Sequence, residues 1–107
     1  MGKQEEAVKY YEDYGGSSEN FKATALAGEA GYYASKNEYE KAADLYRNAS
    51  LVSEENVLNP EYMLQAGINY LKAGETEKAK ELFETIKKDY NTSSAFRDVE
   101  RYSSQIE

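Results

Sequence analysis

Apolar positions recur with helical spacing in three blocks of the chain. In the last of these, Ala79, Leu82, Phe83 and Ile86 stand three, one and three residues apart, which places them in one stripe of a helix with 3.6 residues per turn. Tyr39, Ala42, Leu45, Tyr46 and Ala49 form an equivalent stripe in the middle block, and Ala7, Tyr10, Tyr11 and Tyr14 form one near the start. Each stripe lies behind a residue suited to closing an earlier helix: Gly74, Asn37 and Gly2 all tolerate the left-handed conformation found just past a helix C-terminus. The stretch from Asn59 to Tyr90 contains a whole unit. Asn59 is placed to cap a first helix, Pro60 to occupy its first turn and Gly74 to close it, and the second helix then returns antiparallel to the first.

The alanines Ala7, Ala42 and Ala79 are separated by 35 and 37 residues, the same intervals that separate Gly2, Asn37 and Gly74. A helix, turn, helix unit of about 34 residues with Ala-x-x-x-aromatic in its second helix resembles the tetratricopeptide repeat. In the last unit Met63, Ala66, Gly67 and Tyr70 stand at the Trp, Leu, Gly and Tyr of that family's first helix, and in the middle unit the same places hold Leu26, Glu29, Ala30 and Tyr33. Glu29 departs from the pattern. So does the absence of a proline after each second helix, where Glu19, Glu54 and Asn91 stand. The resemblance implies an all-α superhelix of antiparallel hairpins, about 80 % helical and without strands, in a single domain. Its expected divisions are a partial repeat over 1–16, repeats over 17–53 and 59–91, and a capping helix over 93–107. The small residue, Gly67 or Ala30, is expected where two helix backbones come close.

Taken in order, residues 3–14 read as the second helix of a unit whose first helix is missing. The expectation is therefore a C-terminal fragment of a longer protein, fraying or forming a homodimer through this helix. Gly15 and Gly16 end it, and Ser17 or Ser18 caps the next. That next helix, about 19–35, is rich in Ala and carries Gly28 and Gly31, each costing about 1 kcal/mol of helix propensity relative to Ala, a loss that tertiary contact should offset. Asn37 with Glu40 is expected to form a capping box for the following helix. The link SEENVLNP holds two apolar residues, Val57 and Leu58, expected to dock back on the hairpins as a plug. A final helix, capped from among Thr92, Ser93 and Ser94, carries Phe96, Val99, Tyr102 and Ile106 on one side and closes the stack.

Composition narrows the chemistry. With 13 basic and 20 acidic residues the net charge is −7, so no cationic track is available for nucleic acid or for an anionic lipid surface. The chain has no Cys and no His, which removes thiol nucleophiles, His-based triads and the common zinc, haem and iron–sulfur ligand sets. No paired carboxylates have a spacing that singles out an acid and a base. The expectation is a protein without cofactor or enzymatic activity, and without a segment that inserts into a membrane.

What the resemblance implies for function is binding of a protein or peptide on the concave side, lined by the first helices of successive repeats. In the middle unit those positions are Thr24, Ala27, Gly31, Ala34 and Ser35, and in the last unit they are Glu61, Leu64, Ile68, Leu71 and Lys72. Most are small or aliphatic, which does not suit the Lys, Arg and Asn clamp that some members of the family use for a terminal carboxylate. Leu64, Ile68 and Leu71 lie away from the hairpin-facing residues, so this helix is apolar almost all round and should be covered on both sides. The second cover is a partner, the Val57–Leu58 plug or the terminal helix. A narrower reading is an accessory or regulatory domain of a bacterial envelope protein tethered by an upstream membrane segment, which would place this part in the periplasm or envelope.

Overall fold

The computed structural model describes residues 18–104. These form five helices: α1 (Ser18–Ser35), α2 (Tyr39–Ser50), α3 (Asn59–Lys72), α4 (Thr76–Asp89) and α5 (Ser94–Ser103). Helices make up 78 % of the described residues with no strand among them, which is the all-α architecture the periodicity requires. Neighbours in sequence are neighbours in space: α1 packs on α2, α2 on α3 and α3 on α4, while α5 lies against both α3 and α4. The partial repeat over 1–16, with Gly2, Ala7, Tyr10, Tyr11 and Tyr14, lies outside the described residues, as do Gly15, Gly16, Ser17 and Ile106.

The two hairpin turns share one hydrogen-bond pattern. After α3, Gly74 takes φ +84°, its N–H donates to Leu71 O at 3.1 Å and the Glu75 N–H donates to Tyr70 O at 2.8 Å. After α1, Asn37 takes φ +64°, donating to Ala34 O at 3.0 Å while Glu38 donates to Tyr33 O at 3.0 Å. Both are Schellman turns, in which one left-handed residue lets two terminal carbonyls find donors. Asn is the non-glycine residue best suited to that conformation. Here its side-chain oxygen also accepts from Tyr39 Oη at 2.8 Å. That contact replaces the expected capping box: α2 begins behind Glu38, and no side chain caps its first turn. At α5 the expected cap is present, with Ser93 Oγ accepting from the Phe96 N–H at 3.3 Å.

Two expectations for the α2–α3 link are corrected. Asn59 is not the cap of α3 but lies within its first turn behind Leu58; its amide points inward and donates to Ser53 O at 2.5 Å. The side chain is buried, and its Oδ1 has no partner. Tethering the link took precedence over capping the helix. The Val57–Leu58 plug does not form, since Val57 is 88 % and Leu58 47 % exposed. The link is instead tied to itself, with Asn56 Oδ1 accepting from the Leu58 N–H at 2.9 Å.

The core centres on the second hairpin. Leu64, Tyr70, Phe83, Ile86 and Val99 are buried together with Ala43, Ala66, Ala79 and Ala95, so α2, α3, α4 and α5 all contribute. Each large side chain so buried contributes about 1.5–3 kcal/mol relative to exposure. Phe83 stacks on Tyr102 of α5 with ring centroids 6.2 Å apart. Gly67 is needed, though not for a backbone approach: a Cβ there would lie 2.8 Å from Phe83 Cζ and closer still to Cε1, so the aromatic ring itself occupies the space. A smaller cluster of Ala23, Ala49 and Tyr62, with Leu26, Ala27 and Val52 against it, joins α1 and α2 to the start of α3. Of the two glycines inside α1, Gly31 would place a Cβ 3.8 Å from Tyr46 Oη, whereas Gly28 faces open space.

Candidate functional site

The ten positions read as the concave lining divide by depth. On α1, Thr24 and Ser35 are exposed while Ala27, Gly31 and Ala34 are half-buried. Both hydroxyls donate to carbonyls of their own helix, Thr24 Oγ1 to Asn20 O at 2.9 Å and Ser35 Oγ to Tyr32 O at 2.6 Å. On α3, Lys72 is exposed and Glu61, Ile68 and Leu71 are half-buried, but Leu64 is only 2 % exposed. Leu64 belongs to the cluster that contains Ala95 and Val99, with Ile68 and Leu71 packed at its edge. The second cover of α3 is therefore the terminal helix. α1 and α3 both pack on α2 rather than extensively on each other, and they meet around Ala23, Ala27 and Tyr62.

Electrostatics around these helices is organised by tyrosines that the periodicity marks only as apolar. Tyr70 is 1 % exposed, and its hydroxyl donates to the Asp44 carboxylate across the α2–α3 boundary. Burial first, and then this bond to an anion, push its pKa up to about 12, against a smaller opposing pull from Arg47. Tyr46 is likewise raised by burial. Near the first turn, Lys36 lies 5.6 Å from the Tyr32 ring centroid, Lys41 4.2 Å from that of Tyr33 and Lys72 5.4 Å from that of Tyr39. Lys78 over Tyr70, at 5.4 Å, repeats the pair of Lys41 over Tyr33 one unit later. That repetition is legible in the sequence, because Lys41 and Tyr33 recur 37 residues on as Lys78 and Tyr70. The Asp44–Tyr70 bond and the Lys72–Tyr39 contact join different units and leave no such trace.

Among the described residues no group of three or more His, Cys, Asp or Glu is placed to hold a metal ion, and no helix is long and apolar enough to cross a membrane.

Paired helices, Schellman turns 37 residues apart and an aromatic ring of the second helix set against a small residue of the first define a helical-repeat protein. Residues 61–93, which take in most of α3, all of α4 and the turn after it, match the family model of the tetratricopeptide repeat. That match supports reading this part of the chain, residues 61–93, as a repeat of the tetratricopeptide type. No curated protein and no solved structure matches the chain. A repeat of this type is a protein–protein interaction module, and the family is generally non-enzymatic.

Proposed function

We propose that this protein binds an extended protein or peptide segment along the surface shared by α1 and α3, and that it works as a scaffold without chemistry of its own. The observation that carries this reading is the tetratricopeptide repeat at 61–93 in the same register as the hairpin before it. In that register Thr24, Ala27, Gly31, Ala34 and Ser35 on α1 correspond to Glu61, Leu64, Ile68, Leu71 and Lys72 on α3. Leu64 supports this surface from beneath instead of meeting the ligand. Small side chains along α1 allow the backbone of a ligand to come close, Ile68 and Leu71 offer half-buried apolar contact, and Glu61 and Lys72 at opposite ends of α3 give the groove a polarity.

Thr24 and Ser35 are the positions for a test, because both are exposed and a change there leaves the core alone. Peptides selected from a random display library against the full chain should lose at least tenfold in affinity for a Thr24→Arg, Ser35→Arg double variant. Unchanged affinity of every selected peptide would overturn the proposed surface.

A further inference from the structure

One place in the shared register is filled in opposite ways by the two hairpins. Where the second has Phe83 and Ile68, both hydrocarbon, the first has Tyr46 and Gly31. The Tyr46 ring packs against both core clusters, which fixes its direction, and its hydroxyl comes to 3.8 Å from the position a Gly31 Cβ would take. Leaving aside Gly31's chain neighbours and its own helix backbone, that hydroxyl is the one atom of the described residues within 4 Å of the position, and the rest of the space is open. Among the described residues no group hydrogen-bonds to the Tyr46 hydroxyl, whereas the Tyr70 hydroxyl donates to Asp44. Burial raises the Tyr46 pKa, so the phenol is partly withdrawn from water and stays a neutral donor. A partly desolvated hydroxyl without a protein partner costs stability that a phenylalanine, as in the second hairpin, does not.

We propose that the Tyr46 hydroxyl is a ligand-binding group in the floor of the α1 part of the groove, donating to a main-chain carbonyl of an extended peptide whose backbone passes over Gly31. This rests on the α1–α3 surface being the binding face. Gly31 is one of the groove positions, and Ala27 and Ala34 on either side of it are small, so a peptide backbone reaches the depth that a side chain at 31 would fill. An oxygen at the place of the missing Cβ, 3.8 Å from the hydroxyl, has to move only about 1 Å to reach the usual O–H···O separation of about 2.8 Å. The acceptor is a neutral carbonyl and not a carboxylate, because Thr24, Ala27, Gly31, Ala34 and Ser35 bring no cation to this stretch. In the second hairpin Phe83 has no hydroxyl and Ile68 takes the matching place, so the bond forms in the first unit only and fixes the register of the peptide.

Peptides selected by display against the full chain are the probe. Tyr46→Phe keeps the ring and removes only the donor; it should weaken their binding about fivefold or more while the thermal midpoint holds or rises. Gly31→Ala, whose methyl meets the hydroxyl at ordinary contact distance, should weaken binding at least as much, again without loss of stability. In the peptide, replacing single amides by esters makes each carbonyl a poorer acceptor, and one position should then lose affinity for the parent but not for Tyr46→Phe. Full affinity of Tyr46→Phe beside a loss in the Thr24→Arg, Ser35→Arg variant would overturn this inference and leave the surface standing, whereas full affinity in both would overturn both. A loss in Tyr46→Phe that tracks a lowered midpoint would overturn it as well, since the hydroxyl would then act through the fold. Binding that vanishes when the peptide's C-terminus is amidated would do the same, because the acceptor would be a carboxylate.

Discussion

The hairpin of α1 and α2 and the hairpin of α3 and α4 follow one register but fill it differently. Where the first sets Tyr46, half-buried, beside Gly31, the second sets Phe83, 1 % exposed, against Gly67. The difference is a trade of volume. The Tyr46 hydroxyl lies 3.8 Å from where a Gly31 Cβ would be, so a branched side chain at 31 would crowd it. Phe83 has no hydroxyl and Ile68 stands at the matching place, while its ring takes the room that a Gly67 Cβ would need. Turn geometry is thus held constant between the units, and packing is fitted locally. Depth follows from neighbours: α3 is enclosed by α2, α4 and α5, whereas α1 packs extensively on α2 alone among the described helices.

Removing each ring is the harshest way to probe this difference. Phe83→Ala should cost about 3–5 kcal/mol in denaturant unfolding and Tyr46→Ala clearly less, because the cavity left by Phe83 lies in a core to which four helices contribute. Equal losses would show that the two hairpins are equally deep. Crowding the same contact comes next. Gly67→Leu should cost about 3 kcal/mol by overpacking against Phe83. A variant as stable as the parent would mean that the ring moves freely.

Titration sharpens the boundary between the hairpins. The Tyr70 pKa in the folded protein, about 12, lies above its ordinary 10.0, so its stabilising contribution is complete below pH 10 and is lost as the pH rises toward 12. That loss amounts to roughly 2–3 kcal/mol. Tyr70→Phe should lose correspondingly less over the same window, with a remainder from Tyr46, whose pKa is also raised. Parallel curves for parent and variant would show that Tyr70 is not held as a neutral donor to Asp44. The smallest effect has the opposite sign. Gly28→Ala should stabilise by about 0.5–1 kcal/mol, since a methyl there meets nothing within 4 Å and the helix gains propensity. Destabilisation would place a contact where α1 is open.

Much of this architecture is legible residue by residue. Asn37 and Gly74 are recognisable as turn residues because few side chains accept a positive φ, and both take it. Ala79, Phe83 and Ile86 are recognisable as core from their spacing, and all three are buried. Ser93 caps α5 because a hydroxyl one residue before a helix has free amides within reach. These assignments depend on atoms only a few residues apart, so the local sequence is sufficient to determine them.

Where the reading fell short, competition between distant parts decided the outcome. Asn59 could cap α3 or tether the link, and the buried carbonyl of Ser53 drew its amide inward. Val57 and Leu58 are apolar enough to cover α3, yet α5 covers Leu64 with Ala95 and Val99, leaving Val57 and Leu58 in solvent. Gly67 can be read as a close approach, but only the folded core shows that the approaching group is the Phe83 ring. The helices, their turns and the 37-residue register between the two described hairpins follow from local backbone preference and periodicity, and so are written in the order of the residues. Which apolar side chains are covered, and by what, was decided only in the tertiary structure, where separate segments compete for the same surface and the better fit excludes the others.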